Sequence, residues 1–306
     1  MSPTPDLTSS IVLDPSSNRP EEPVEPTARL RADDVTLAYD GRVVSDGLTL
    51  DVPDGSFTVI VGPNACGKST LLRGLARLLR PTAGRVVLDG RSVAELRTKE
   101  VARQVGLLPQ TAVAPDGITV TDLVSRGRYP HQDLFRRDTA ADRAAVEAAL
   151  AATGTEALAQ RPVDELSGGQ RQRAWVAMAL AQQTPLLLLD EPTTYLDIAH
   201  QIELLDLFAR LNDEGTTLVA VLHDLNHAAR YATHLVVMKD GAIVATGTPE
   251  EIVTEELIEA VFGLASVVIE DPLTGRPLVV PHSASTRRAP SAKAPGPRLQ
   301  RPPRRV

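Results

Sequence analysis

The 306-residue sequence predicts an α/β fold with a doubly wound, mainly parallel sheet. Short, continuous apolar runs at residues 186–189, 218–222 and 235–237 are typical of strands buried on both faces of such a sheet. Segments with helical spacing, such as residues 198–211, lie between these runs, and strand–helix alternation indicates a doubly wound arrangement. A glycine-rich loop that joins a β-rich run to a helical segment supports the same fold class.

The first part of the chain adds strands and one helix to this pattern. Residues 29–37 and 43–52 alternate apolar and polar side chains, which predicts an antiparallel β flank. Residues 56–61 predict a buried strand, and residues 69–79 predict a helix that begins in the glycine-rich loop. The helix and its end are predicted from leucines at helical spacing and from two helix-stopping residues, namely Leu71, Leu72, Leu75, Leu78, Pro81 and Gly84.

The middle of the chain has a different pattern. Residues 86–88 and 105–108 predict further strands, but residues 120–182 are mainly helical in pattern and contain no convincing strand. We therefore assign one folded domain to residues 28–282, with a helical subdomain at about residues 113–180.

Both ends of the chain differ in composition from this domain. Residues 1–27 are rich in Pro, Ser, Thr and Glu, which predicts a disordered leader. Residues 283–306 are rich in Pro, Ala and Arg and have no acidic side chain, which predicts a disordered, flexible basic tail. One interpretation of this tail is a solubilising extension, and the other is weak attraction to an anionic membrane surface.

The bulk composition argues against several classes of function. A net charge of −7 gives no electrostatic reason to expect nucleic acid as a partner. No apolar run approaches the roughly 18 residues that span a bilayer, and the N-terminus lacks the basic start and apolar core of a secretory signal. Cys66, the single cysteine, excludes an internal disulfide and suits a reducing compartment. The chain is therefore predicted to stay in the cytosol.

The glycine-rich loop fits the P-loop pattern G-x-x-x-x-G-K-[ST]. Its backbone N–H groups and the helix N-terminus are expected to surround nucleotide phosphates. Lys68 is expected to bridge the β- and γ-phosphates, and the Ser69 hydroxyl to bind Mg²⁺. Cys66 is either a small filler residue or a redox-sensing thiol, and the second role requires a lowered pKa. The predicted phosphate cradle consists of Gly62, Pro63, Asn64, Ala65, Cys66, Gly67, Lys68, Ser69 and Thr70.

The apolar run at residues 186–189 continues directly into Asp190 and Glu191. A carboxylate at the end of a buried strand can hold the coordination shell of Mg²⁺, which is the role expected of Asp190. Glu191 is then placed to accept a proton from the attacking water. A plain charged strand end is the alternative, and the P-loop pattern in the same chain argues against it.

Residues 166–170, Leu-Ser-Gly-Gly-Gln, resemble the signature motif of the ABC ATPase family. Tyr39 resembles the aromatic residue that stacks on adenine, and Gln110 resembles the Q-loop glutamine that senses Mg²⁺ and the transporter partner. Asp197 resembles the D-loop aspartate, and His223 the switch histidine that contacts the γ-phosphate. Each of these residues alone has an ordinary structural interpretation, but their joint order favours the family.

This resemblance implies a P-loop NTPase of the ABC type, with a RecA-like core sheet, an antiparallel β flank and a helical subdomain. It implies ATP and Mg²⁺ as cofactors, and a homodimer with each ATP between the P-loop of one copy and the signature motif of the other. The implied catalytic residues are Glu191, His223 and Gln110, and the implied Mg²⁺ residues are Ser69, Gln110 and Asp190. Beyond the phosphate cradle, the residues implied to bind nucleotide are Tyr39, Ser167, Gly168, Gly169, Gln170 and Asp197.

Two further segments carry a narrower resemblance. Residues 126–132 (Arg-Gly-Arg-Tyr-Pro-His-Gln) and residues 271–281 resemble the ATPases of iron(III)-siderophore importers of the ferric enterobactin, ferrichrome and ferric citrate type. This implies an ATPase at the cytoplasmic face of the membrane, with separate permease subunits and, indirectly, a siderophore-binding lipoprotein or periplasmic protein. On physical grounds alone, residues 126–132 are also compatible with an ordinary loop between two helices.

Two alternative functions remain open from the sequence. Importers of haem, cobalamin or another metal chelate have similar ATPases, and a subunit that does not touch the cargo has no residue that identifies it. A soluble ABC protein that acts on DNA or ribosomes belongs to a different class. The single cassette, the lack of sustained heptads and the lack of a basic patch in the folded region argue against that class.

Overall fold

The computed structural model describes residues 28–110, 113–132 and 139–282. The predicted leader at residues 1–27 and the predicted tail at residues 283–306 lie outside the described residues. Within the described ranges the chain is a mixed α/β fold with two larger sheets and one two-stranded sheet, which confirms the predicted fold class. No helix in these ranges combines the length and the apolar character needed to cross a membrane.

Strands and helices alternate along most of the described chain. The strands, in chain order, are β1 (Ala28–Tyr39), β2 (Arg42–Pro53), β3 (Phe57–Val61), β4 (Ala83–Leu88), β5 (Arg91–Ser92), β6 (Val105–Leu108), β7 (Leu186–Asp190), β8 (Thr217–Val221), β9 (His234–Lys239), β10 (Ala242–Gly247), β11 (Ser266–Glu270) and β12 (Pro277–Pro281). The α-helices are α1 (Lys68–Leu75), α2 (Thr98–Gln104), α3 (Val120–Ser125), α4 (Ala140–Ala152), α5 (Gly168–Ala181), α6 (Ile198–Asp213), α7 (Leu225–Tyr231), α8 (Pro249–Ile252) and α9 (Glu255–Phe262). Short 3₁₀ helices cover Arg126–His131, Glu156–Leu158 and Val163–Glu165.

The core sheet has the strand order β10-β9-β3-β8-β7-β6. Its strands are parallel from β9 to β6, and β10 pairs antiparallel with β9 at one edge, so the three predicted apolar strands are confirmed. Alternate residues of β3 enter two different cores, with Val59 and Val61 on one face and Ile60 on the other. Because both faces are covered, every residue of β3, β7 and β8 is buried. The carboxyl ends of β3, β6, β7 and β8 meet at one edge of the sheet.

The second sheet has the order β2-β1-β4-β5 and is antiparallel throughout, which confirms the predicted flank. Strands β1 and β2 are joined by a two-residue turn at Asp40 and Gly41, with φ angles of 48° and 80°. Such positive φ angles are typical of tight hairpin turns, because they match the twist of the paired strands. Leu37 of β1 and Leu75 of α1 belong to the same buried core, so the flank lies against the helix that follows the glycine-rich loop.

The described residues between β6 and β7 are helical except for loops and one isolated bridge, between Thr119 and Pro162. The segment Arg126–His131 is a 3₁₀ helix rather than an ordinary loop. Its Arg128 is buried, and Arg128 Nε lies 2.9 Å from Asp142 Oδ1 of α4. Arg128 Nη1 also donates to the backbone carbonyl of Ala181 at the end of α5. This side chain therefore connects three helical elements.

The helix predicted for residues 69–79 is shorter than expected, because α1 ends at Leu75. Arg77 adopts a left-handed conformation with φ 60°, Leu78 N–H donates to the Arg73 carbonyl, and Arg77 N–H donates to the Gly74 carbonyl. These bonds form a Schellman-type helix end, which stops the helix before the proline and glycine that were expected to stop it. Leu78, which was counted among the leucines at helical spacing, lies beyond this helix end and is 64% exposed.

Candidate nucleotide site

One cleft collects residues from the carboxyl ends of four core strands and from the β1–β2 hairpin. It has a volume of about 720 Å³. Its lining consists of Tyr39, Arg42, Val44, Asn64, Ala65, Cys66, Gly67, Lys68, Ser69, Thr70, Gln110, Glu191 and His223. Tyr39, most of the predicted phosphate cradle and all three predicted catalytic residues are therefore brought together, although they are spread over more than half of the chain.

The glycine-rich loop follows β3 and leads into α1. Gly62 lies so close to the core that an added β-carbon would be 2.2 Å from the backbone oxygen of Met238, and therefore no larger residue fits there without movement. Lys68 is only 5% exposed, and its ammonium group donates to the carbonyls of Gly62 and Pro63 at 2.8 Å each. The loop thus curves around its own lysine, which holds a positive charge at the floor of the cleft.

Cys66 is buried in this loop, with Sγ 4.0 Å from Lys68 Nζ. Burial raises the pKa of the Cys66 thiol, and the nearby Lys68 charge only partly opposes this. Because a redox-sensing thiol requires a lowered pKa, the structure favours the interpretation of Cys66 as a small filler residue.

Ser69 and Asp190 are in direct contact beneath the cleft. The Ser69 hydroxyl donates to Asp190 Oδ1 at 2.7 Å, and Asp190 is 2% exposed at the end of β7. Burial raises the pKa of Asp190, because desolvation disfavours the carboxylate, and the bond from Ser69 works in the opposite direction. Two oxygen donors therefore lie side by side at the end of a buried strand.

Glu191 follows Asp190 with an unusual backbone conformation. Its φ angle is 54°, in the left-handed region that residues other than glycine seldom adopt. Its Oε1 lies 2.7 Å from Nε2 of His223, which follows β8, and Thr194 Oγ1 donates to Oε2 at 3.4 Å. Backbone strain of this kind persists where the surrounding structure enforces it, and it is concentrated at functional sites.

The opposite end of the cleft is formed by the β1–β2 hairpin. Tyr39 is 39% exposed, and its hydroxyl accepts a hydrogen bond from Arg73 Nη1 of α1 at 3.4 Å. Arg42 and Val44 also line the cleft, and neither was predicted as a site residue. Arg42 could have been identified from the predicted hairpin, because it is the direct cross-strand partner of Tyr39. Val44 lies at a register shift, which strand alternation does not predict.

A second cleft of about 420 Å³ contains the predicted signature residues and Asp197. It is lined by Ser167, Gly168, Gly169, Gln170, Arg173, Tyr195, Leu196, Asp197 and His200, of which Arg173, Tyr195, Leu196 and His200 were not predicted as site residues. Among the described residues, the two clefts share no lining residue. The structure therefore does not bring the predicted signature residues to the glycine-rich loop of the same chain.

The residues of the second cleft lie at the N-termini of two helices. Ser167 caps α5, where its hydroxyl accepts from Gln170 N–H and Gln170 Oε1 accepts from Ser167 N–H. Asp197 caps α6, and its Oδ1 accepts from the backbone N–H of His200 at 3.0 Å and lies 2.8 Å from His200 Nδ1. Both bonds lower the pKa of Asp197, and the bond from the backbone N–H has the larger effect. The side chains of Gln170 and Asp197 are therefore occupied within their own chain.

Comparison with known proteins identifies the class. Residues 45–194 match the profile of the ABC transporter family. The chain is 58% identical over 258 residues to the ferric enterobactin transport ATP-binding protein FepC of Escherichia coli (strain K12), a match that covers 84% of this chain and 95% of that protein. It is 55% identical over 249 residues to the probable siderophore transport system ATP-binding protein YusV of Bacillus subtilis (strain 168), covering 81% and 90%.

Solved structures agree with these sequence matches. An inward-facing structure described as a metal-chelate type ABC transporter superimposes with a TM-score of 0.72 at 28% identity, covering 85% of this chain and 99% of that chain. A dimeric structure of the ABC transporter cassette MJ0796 superimposes with a TM-score of 0.66 at 28% identity, covering 72% and 98%.

The chain belongs to the ABC transporter family and is an ATP-binding, ATP-hydrolysing subunit of that class. Its close relatives are named as ATP-binding proteins of transport or import systems.

Proposed function

We propose that this subunit powers the import of iron(III)-siderophore complexes. The observation that supports this cargo is that four relatives, named for ferric enterobactin, siderophore, petrobactin and iron(3+)-hydroxamate transport, share between 46% and 58% identity with the chain. These matches extend over at least 90% of each relative. A cobalamin import ATP-binding protein of Halobacterium salinarum is 43% identical, and the match covers only 62% of it, so the siderophore assignment is preferred.

The chemistry of the first cleft fits ATP with Mg²⁺. The Ser69 hydroxyl and the Asp190 carboxylate lie within 2.7 Å of each other, and the Gln110 side chain lines the same cleft. Hard oxygen donors of this kind are the ligands that Mg²⁺ prefers, together with phosphate oxygens. When bound, the ion supplies positive charge that stabilises the phosphates during transfer. Lys68 provides the second positive charge, and Tyr39 an aromatic surface for the base.

Glu191 is proposed as the general base for hydrolysis. Its carboxylate is placed next to the phosphate cradle, and the contact with His223 at 2.7 Å orients it. Glu191 would take a proton from the attacking water, while His223 would hold the carboxylate and contact the γ-phosphate. The left-handed backbone at Glu191 turns the side chain out of the strand direction and into the cleft.

The separation of the two clefts supports a homodimer. The N-terminus of α5 at Ser167 carries partial positive charge that can face a phosphate, but the phosphate cradle of the same chain lies in the other cleft. We infer that two chains associate head to tail, so that each signature motif faces the nucleotide of the other chain. Binding of ATP would close the dimer, and hydrolysis would release it.

The dimer is proposed to act on separate permease subunits at the cytoplasmic face of the membrane. Relatives named as import ATP-binding proteins support this assignment, and the described helices contain no candidate membrane span. A siderophore-binding lipoprotein or periplasmic protein would deliver the cargo on the other side, without contact to this subunit.

Iron uptake in a deletion strain tests this function. Cells that lack the gene are supplied with radiolabelled iron on catecholate or hydroxamate siderophores, and are complemented with wild type, Glu191→Gln or Glu95→Gln. Glu95 is exposed and lines neither cleft, so Glu95→Gln is the matched control. We expect wild type and Glu95→Gln, but not Glu191→Gln, to restore uptake.

Radiolabelled cobalamin in the same strains provides the contrasting result. Loss of cobalamin import with unchanged iron uptake would contradict the siderophore assignment and support the alternative cargo.

A further inference from the structure

The first cleft contains a positive charge that none of the nucleotide motifs includes. Arg42 and Lys68 are the basic Lys or Arg side chains in its lining, and Lys68 belongs to the P-loop. Arg42 begins β2, whereas Lys68 is held by the carbonyls of the glycine-rich loop. The cleft therefore has one cation on the hairpin strand and one in the loop.

The strand register determines where Arg42 points. Tyr39 and Arg42 are directly opposite each other in the β1–β2 pair, and cross-strand neighbours lie on the same face of a ribbon. Val44 lies two residues further along β2, at a register shift between the pairs Ala38–Val43 and Leu37–Ser45. All three line the cleft, whereas Val43, on the other face, is 54% exposed and does not. Arg42 thus shares the face that carries the proposed base-binding Tyr39.

The ribbon also touches the phosphate cradle. A β-carbon added to Gly67 would lie 3.3 Å from Val44 Cγ1 and 3.3 Å from Ser45 Oγ, so β2 packs against the glycine-rich loop at Val44. Arg42 is two residues, or about 7 Å, further along the strand towards the hairpin turn. The long arginine side chain therefore starts between the base-binding end of the cleft and the phosphate cradle.

Arg42 differs from the other arginines of the same sheet in its partners. Arg29 lies 2.9 Å from Asp89, and Arg31 lies 3.5 Å from Asp51. In the part of the chain that the structure describes, Arg42 has neither an ion pair nor a side-chain hydrogen bond. An exposed, unneutralised guanidinium beside a phosphate-binding loop is suited to bind an anionic ligand.

We propose that Arg42 binds the phosphate chain of the nucleotide from the β1–β2 hairpin, next to the P-loop. This inference rests on the proposed nucleotide function of the cleft, and it adds a binding residue that the family motifs do not include. The tyrosine ring holds the base, so the guanidinium is left to contact the phosphates nearest the ribose. Binding of nucleoside diphosphates and triphosphates should depend on Arg42, and binding of the bare nucleoside should not.

Equilibrium binding to the purified full chain tests the proposal. The dissociation constants of ATP, ADP and adenosine are measured by displacement of a fluorescent ADP analogue. The proteins are wild type, Arg42→Gln, Arg42→Lys and Arg91→Gln. Arg91 is an exposed arginine that pairs with Glu100 at 2.8 Å outside the cleft, so Arg91→Gln controls for loss of one surface charge.

We expect Arg42→Gln to weaken ADP and ATP binding about five- to tenfold, while adenosine binding changes less than about twofold. Arg42→Lys should retain most of the affinity, and the deficit of Arg42→Gln should shrink in about 0.5 M salt, because salt screens exposed charges. Unchanged circular dichroism and thermal midpoint show that Arg42→Gln remains folded.

Three results separate this inference from the proposed function. Equal ADP affinity in Arg42→Gln and Arg91→Gln would overturn the inference alone. Equal losses for adenosine and ADP would also overturn it, since Arg42 would then act by positioning Tyr39. A wild-type protein that binds neither ATP nor ADP would overturn the proposed function and the inference together, and Lys68→Ala provides the reference for lost phosphate binding.

Discussion

Glu191 combines a buried strand end, a left-handed backbone and a short contact to His223. Replacement by glutamine keeps the size of the side chain but removes the group that can accept a proton. We expect Glu191→Gln to bind ATP like wild type and to hydrolyse it about 10²- to 10⁴-fold more slowly, as phosphate release and fluorescent-ATP binding would show. Turnover at the wild-type rate would contradict the role of Glu191 as general base.

At the scale of single residues, the sequence predicted roles that depend on consecutive residues better than roles that depend on contacts made by folding. The P-loop could be recognised because its glycines, Lys68 and Ser69 lie within one short segment of the sequence. Arg42 and Val44 were missed because their roles depend on the hairpin register, which brings them beside a loop more than twenty residues away. The direct hydrogen bond between Ser69 and Asp190 was likewise not predictable, because the two residues are far apart in the sequence.

Helix α1 provides a prediction at the scale of an element. Leu75, at its last position, is 1% exposed, whereas Leu78, beyond the Schellman-type end, is 64% exposed. We expect Leu75→Ala to lower the free energy of unfolding by about 2–5 kcal/mol, since it leaves a cavity. The same substitution at Leu78 should change it by less than about 0.5 kcal/mol. Chemical denaturation measures both, and equal losses would show that Leu78 is packed.

The buried ion pair of the helical segment provides the second prediction. Asp142 accepts from Arg128 at 2.9 Å and also forms the capping box of α4 with Thr139. Asp142→Ala leaves the Arg128 charge buried without its carboxylate, which typically costs about 3–5 kcal/mol of stability. Glu147→Ala, exposed on the same helix, is the control and should be near neutral.

The pH dependence of this loss follows from the pKa of Asp142. Arg128 and Thr139 lower that pKa in the folded protein, and the ordinary value is about 3.9. A lowered pKa gives a stabilisation that is complete above the ordinary value and is lost as pH falls through the folded value. The difference between wild type and Asp142→Ala should therefore stay constant from pH 7 to pH 5. A difference that already shrinks at pH 5 would contradict the assignment.

Elements were predicted well where apolar runs were continuous and less well where a helix ended. Strands β3, β7 and β8 are buried on both faces, so their composition alone identified them. The end of α1 was misplaced because Arg77, rather than a glycine, adopts the left-handed conformation there. A helix end of this kind is usually signalled by glycine or asparagine, and the sequence has an arginine there.

At the scale of the whole molecule, the two separate clefts make a prediction about mixtures. Ser167→Arg should abolish hydrolysis while leaving nucleotide binding largely intact, and Lys68→Ala should weaken binding itself. In a mixed dimer of these two variants, one of the two composite sites combines an intact P-loop with an intact signature motif. We expect mixing the two inactive proteins to restore part of the ATPase rate. No recovery in verified mixed dimers would contradict head-to-tail pairing.

The separation of the two clefts within one chain also bears on when the subunit consumes ATP. On the proposed pairing, a single chain has a nucleotide cleft and a signature motif, but the signature motif acts only on the nucleotide of a second chain. Dilute subunits should therefore hydrolyse almost no ATP. Their ATPase rate should rise with the square of the subunit concentration until most chains are dimeric. A permease that holds two copies side by side would replace that search by a high local concentration. Consumption of ATP would then be confined to assembled transporters, without any dedicated inhibitor.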